Sequence, residues 1–176
     1  MQYYSGVGSR DTPSPVGVIM YKLAKALGVL GYCLRSGMAS GADTYFELGC
    51  DKVNGDKQIY LPWKHPDLHP PQYISTLPVR ALDILKAIHP DYSDWKPASQ
   101  KLHIRNIGQV LGPDLQTPSR FLLCWTPGGE WKGGTRTALK VAQLHQVPLF
   151  NLGSPQLEGF TAEGILDLLD RQGYLS

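Results

Sequence analysis

Arg120-Phe121-Leu122-Leu123-Cys124-Trp125 runs straight into Thr126-Pro127-Gly128-Gly129-Glu130-Trp131-Lys132-Gly133-Gly134, and a helix-like segment opens at Thr135. An apolar run without alternation reads as a strand buried on both faces, the habit of parallel sheets. The glycine-rich stretch after it is a strand-to-helix turn that brings backbone close to any ligand at the sheet's carboxyl edge. Thr135 to His145 keeps helical spacing, and Val147-Pro148-Leu149-Phe150-Asn151-Leu152 is the next strand. Strand, helix and strand in ~30 residues make a βαβ unit.

The same alternation extends to both ends of the chain. Tyr3 to Val7 is a short strand, and Ser14-Pro15 reads as a helix N-cap with proline at the first helical position. Val16, Ile19, Met20, Leu23, Leu27 and Leu30 follow at helical spacing until Gly31. Tyr32 to Ser36 is the second strand, a helix passes through Tyr45, Phe46 and Leu48, and a third strand lies around Gln58 to Leu61. Residues 62–77 are too proline-rich for regular structure, and helices follow over Val79 to Ile88 and Ser99 to Leu111. Thr161 caps a last helix that stops near Gly173. This predicts an α/β fold with a mainly parallel sheet and helices on both faces.

Composition narrows the function classes. At 176 residues, 42% hydrophobic and 18% charged, the chain is expected to form one domain over 1–176 with a full core. No stretch approaches the ~20 apolar residues of a membrane span, and the N-terminus lacks the pattern of a signal peptide. A cytoplasmic protein, encoded by a bacterial host or a phage, is expected. Cys33, Cys50 and Cys124 form no CxxC pair, which fits free buried thiols. A net charge of +2 suits a phosphate-bearing ligand without demanding a long nucleic-acid track.

Ligands of open parallel sheets bind where the strands' carboxyl ends meet at a switch in strand order. Gly8-Ser9-Arg10, Ser36 to Asp43 and Thr126 to Thr135 are placed to meet there. Helix N-termini, the hydroxyls of Ser9, Ser36, Ser40 and Thr135 and the guanidinium of Arg10 would form an anion cradle. None of these loops is a Walker A sequence, because 126–135 lacks the GKS/T ending, and Asp11 stands where a GxGxxG would need its third glycine. His65 and His69 do not make a zinc pair, since prolines forbid the helix that would place them on one face. No metal and no cofactor are expected.

These loops resemble the signature loops of the SLOG superfamily, which unites the DNA-processing protein DprA/Smf with the Lonely Guy (LOG) enzymes. Ser36-Gly37-Met38-Ala39-Ser40-Gly41-Ala42-Asp43 is similar to the SGxAxGxD loop of DprA, and 133–150 to its closing turn, helix and strand. His103-Ile104-Arg105-Asn106 is similar to the xRN element of DprA and to the Arg-bearing helix of LOG. The first and last loops also resemble small single-domain SLOG proteins regarded as nucleotide-ligand sensors. The resemblance covers roughly residues 3 to 153. It implies a Rossmann-like, doubly wound fold and a nucleotide or nucleotide derivative as partner.

On that resemblance the expected ligand-binding residues are Gly8, Ser9, Arg10, Ser36, Gly37, Ser40, Gly41, Asp43, Arg105, Pro127, Gly128, Gly129, Trp131, Gly133, Gly134 and Thr135. Asp43 fits a helix cap as well as the pocket-facing role that the family pattern implies. The LOG pattern PGGxGTxxE places its essential glutamate on Ala138, so binding without catalysis is expected. An N-glycosidase would need a displaced carboxylate, such as Glu130 or Glu47. The DprA branch implies single-stranded DNA as an alternative partner, with Arg10, Arg35, Lys132 and Arg136 as phosphate contacts. Trp131 is the better base-stacking candidate, and Trp125 fits core packing equally well. A homodimer paired through helices is also implied by the family.

Overall fold

A computed structural model describes residues 1–175, leaving Ser176 outside the described residues. The strands are β1 (Gln2–Gly6), β2 (Tyr32–Ser36), β3 (Lys57–Tyr60), β4 (Tyr73–Ile74), β5 (Leu122–Cys124) and β6 (Leu149–Asn151). The helices are α1 (Ser14–Val29), α2 (Ala42–Asp51), α3 (Arg80–Ile88), α4 (Pro97–Leu111), α5 (Thr135–Leu144) and α6 (Ala162–Arg171). The described residues form one six-stranded sheet in the order β4-β3-β2-β1-β5-β6, and each strand pairing in it is parallel.

The stretch 120–125 explains the layering. Phe121 and Leu123 point into a core under α1, α2 and α6, where they meet Tyr4, Leu23, Leu27 and Phe46. Leu122 and Cys124 point the other way, into a core under α3, α4 and α5 with Leu85, Ile107, Val110 and Leu139. Successive side chains of a strand leave by opposite faces, so an unbroken apolar run is what a sheet covered on both sides requires. Cys33, Cys50 and Cys124 are buried free thiols, as their spacing suggested.

Two local expectations are corrected. Ser14 is not the cap of α1: Pro13 holds the extended capping conformation and Ser14 lies inside the first turn. The 62–77 segment is not wholly irregular either. Past Pro70 and Pro71, Tyr73 and Ile74 add β4 to the sheet edge, where Ile59 N–H donates to Gln72 O at 2.7 Å and Leu61 N–H to Ile74 O at 2.8 Å. Proline is tolerated beside such an edge because no further strand needs its missing N–H.

Arg35, expected among the phosphate contacts, is a structural residue. It is 1% exposed. Its Nε donates to Gln58 Oε1 at 2.9 Å and one Nη to the Thr117 carbonyl at 2.5 Å, while the guanidinium lies 3.8 Å from the centre of the Tyr3 ring. It ties the segment between α4 and β5 to the sheet. That segment returns the chain from the β4 side to the far side of β1, so the strand order reverses between β1 and β5.

Candidate functional site

The loops that follow β1, β2 and β5 meet at this reversal, and Ser9 joins them. Its N–H donates to Trp125 O at 3.0 Å, beyond β5, and its carbonyl accepts from Ala42 N–H at 3.2 Å, at the start of α2. The carbonyl also accepts from Thr12 Oγ1 at 2.7 Å. Gly41 makes the approach possible: its φ is +80°, and a Cβ there would lie 2.5 Å from Ser9 O. The loop after β5 is fixed at both ends. Asn151 Oδ1 accepts from Thr126 N–H at 3.1 Å, and Asn106 Nδ2 donates to Gly134 O at 2.7 Å.

A cleft of about 470 Å³ opens between these loops and α4. Of the expected ligand-binding residues, Gly8, Ser9, Arg10, Asp43, Arg105, Pro127, Gly133, Gly134 and Thr135 line it. Gly37 lies directly behind its wall. A Cβ at Gly37 would be 2.8 Å from Asp43 Oδ2 and 2.9 Å from Arg105 Nη1, so carboxylate and guanidinium flank one glycine that leaves them room. Ser36 is a packing residue, its hydroxyl donating to Gly6 O at 2.6 Å. Ser40 is exposed beside the cleft, and Gly128 and Gly129 turn the loop outside it, Gly129 against Ser154.

Electrostatics single out Asp43 and Arg105. Asp43 is buried without capping its helix, and it accepts from Ala39 N–H at 3.3 Å. Burial raises its pKa to about 6 against the opposing pull of Arg105, the Ala39 N–H and Ser36. Burial also lowers the Arg105 pKa, with Asp43 opposing and Arg10 reinforcing the shift. Among the described residues, Arg105 Nε is buried with no hydrogen-bond partner. A cation so placed has spare donor capacity at the cleft wall.

Neither a family model nor a curated protein sequence matches the chain. Solved structures do. The Moco carrier protein of Chlamydomonas rheinhardtii superposes with a TM-score of 0.54 at 19% identity, over 98% of this chain and 86% of that one. DNA processing protein A from Helicobacter pylori, solved for its single-stranded DNA binding mode, gives 0.54 at 16% identity, over 97% and 73%. DprA from Streptococcus pneumoniae gives 0.56 at 16%, with 97% of this chain matching 56% of that one. The chain shares the Rossmann-like α/β fold of these proteins. At these identities the likeness is one of fold.

Within this fold the remaining expected residues fall in unequal places. Ala138, where the LOG pattern has its glutamate, lines the cleft and is 1% exposed. Glu130 is exposed and paired with Lys132, while Glu47 accepts from Lys57 Nζ at 2.8 Å, and neither lines the cleft. Trp131 is half-buried against the α3–α5 core and also lies off the cleft. Trp63 stands where an aromatic is useful. With Met38, Pro62, Leu68 and Leu102 it forms an apolar shelf that shares Arg10 and Arg105 with the cleft. Trp63 and Met38 are each about half exposed, at 54% and 53%. An unburied tryptophan in a proline-rich loop is the sequence signal for this shelf. His103, Asn106 and Gln109 also line the cleft from α4; the first two belong to the element that carries the family resemblance around Arg105, and helical spacing from Arg105 is the signal for Gln109. No helix among the described residues is long and apolar enough to cross a membrane.

Proposed function

We propose that the cleft binds a nucleotide or a phosphate-bearing nucleotide derivative and holds it without converting it. Arg105 at the switch point carries this reading: it is a partly desolvated guanidinium beside the first turn of α5, with Arg10 on the same wall. The Trp63 shelf offers an apolar face for the base next to those charges. Binding without turnover is supported by Ala138 on the wall and by Glu130 and Glu47 being engaged elsewhere. The likeness to a cofactor carrier points the same way.

A second reading has single-stranded DNA as the ligand. The shelf continues outward from the cleft past Arg10, and a protein of this fold from Helicobacter pylori is described by its single-stranded DNA binding mode. Titrating a fluorescent dT20 alongside a thermal-shift panel of AMP, ADP-ribose and cyclic dinucleotides separates the two. A mononucleotide site gives a shift of several degrees with one small ligand and no dependence on oligonucleotide length. A DNA site gives affinity that grows with length and falls with salt, at a log–log slope of roughly −0.7 per phosphate contacted. The absence of both responses, or release of free base from a nucleotide, overturns the proposal.

The Asp43–Arg105 pair predicts a pH dependence. Ionised Asp43 competes with a ligand anion for Arg105; protonated Asp43 leaves the cation available. For a carboxyl titrating near 6, the protonated fraction rises from roughly 3% at about pH 7.5 to roughly 75% at about pH 5.5. Affinity for a phosphodiester, whose own charge is constant here, should therefore increase on acidification by up to roughly 25-fold. Asp43→Asn should bind more tightly than wild type at neutral pH and lose this slope. A flat wild-type profile in isothermal titration would refute the competition.

A further inference from the structure

Behind the cleft wall, four side chains from three helical segments form a hydrogen-bonded chain that ends on the cleft. Arg136 and Thr137 are consecutive residues of α5, His89 follows the last turn of α3, and His103 belongs to α4. Arg136 Nη2 lies 3.3 Å from His89 Nδ1, and His89 Nε2 lies 2.8 Å from Thr137 Oγ1. Thr137 Oγ1 is in turn 2.5 Å from His103 Nδ1. The Trp95 ring packs against both imidazoles, with centroids 4.9 Å from His89 and 4.6 Å from His103.

The proton positions follow from what each group can do. A guanidinium has donors only, so His89 Nδ1 must accept and the neutral ring carries its proton on Nε2. That proton goes to Thr137 Oγ1. Thr137 is fully buried, and among the described residues His103 Nδ1 is the partner left for its hydroxyl proton. Any other arrangement strands a buried donor, a loss of roughly 1–3 kcal/mol. His103 Nδ1 therefore accepts, and its own proton sits on Nε2. The chain cannot be reversed, because an arginine would have to accept.

Charge around the pair keeps both rings neutral. Burial, then Arg136, His103 and Lys140, lower the His89 pKa to about 4, with only Asp91 opposing. Burial, Arg136 and Arg105 lower that of His103. His103 lines the cleft, and no protein group among the described residues bonds its Nε2.

We infer that His103 presents Nε2–H to an acceptor oxygen of the bound anion as a fixed, uncharged donor, with Thr137 and His89 as the positioning residues that set its tautomer. This rests on the cleft being an anion site. It adds what the arginines cannot supply: a hydrogen-bond donor of fixed direction that brings no charge of its own.

The test is long-range proton–nitrogen correlation NMR on the full chain labelled with ¹⁵N in histidine and arginine. Both His89 and His103 should appear as neutral Nε2–H tautomers at pH 7.5, and His89 should stay neutral down to about pH 5. Inorganic phosphate, and separately dT6, should shift His103 Nε2 together with Arg105 Nε. Thr137→Val should mix the His103 tautomers and weaken dT6 binding about fivefold, the size of one hydrogen bond, and Thr137→Ser should restore both. An Nδ1–H tautomer for His103 in the wild type, which needs no variant to observe, overturns the inference. So does an Arg105 response without a His103 response, or unchanged affinity in a folded Thr137→Val. If Arg105 also fails to respond to either probe, the anion site itself is wrong and the inference falls with it.

Discussion

Arg105→Ala is expected to weaken binding of the small ligand or oligonucleotide by about 100-fold, close to 3 kcal/mol. The loss is large because charge-assisted hydrogen bonds to phosphate are among the strong ones and Arg105 reaches the cleft already partly desolvated. The cost to stability comes through Asp43, because Arg105 Nε has no protein hydrogen bond to lose, among the described residues. Removing the neighbouring cation also lets the Asp43 pKa climb beyond about 6, since Arg105 is the largest influence holding it down. Arg105→Lys should recover only part of the affinity, because an ammonium cannot reproduce the planar fork. Calorimetric titration of the three proteins decides the matter. An alanine variant within threefold of wild type would remove Arg105 from the site.

Gly41→Val should destabilise the fold by about 4 kcal/mol and abolish binding with it. A φ of +80° is unfavourable for any β-branched residue, and the added Cβ would stand 2.5 Å from Ser9 O and 2.6 Å from Arg10 Cα. Both obstacles are backbone, so no side-chain rotation relieves them. Gly133→Ala is the matched control: its φ is +63°, but no heavy atom lies within 4 Å of the new Cβ, and a loss of about 1 kcal/mol is expected. Urea denaturation of both variants measures the difference. Equal losses would show that backbone conformation alone, and not the contact with Ser9, sets the cost.

Much of this fold was legible in the sequence because its strands are apolar on both faces and its helices apolar on one. Tyr32–Ser36 occurs as expected, since a buried strand between two glycine-marked turns has few alternatives. β4 was not legible, because two residues joined to a sheet edge by backbone hydrogen bonds leave no periodic trace. The three loops of the site could be found from their glycines. Which arginine serves it could not be read from residues alone. What separates Arg35 from Arg105 as a cleft residue is what tertiary structure lays over each, the 112–119 segment covering one and the open cleft receiving the other. The resemblance of His103 to Asn106 to a family element was needed to favour Arg105. The His89–Thr137–His103 chain is a still purer case, its members being brought together only when α3, α4 and α5 pack on one face.

The peptide group of Ser9 has one further consequence. Because its N–H and carbonyl hold the ends of β1, α2 and β5 in one hydrogen-bonded knot, the loops cannot open independently of the sheet. The conformational entropy of ordering them is lost during folding, not when a ligand arrives, so little of the binding free energy is consumed in assembling the site. Association should then be limited by diffusion and by attraction to Arg10 and Arg105, and the empty and occupied proteins should share one backbone.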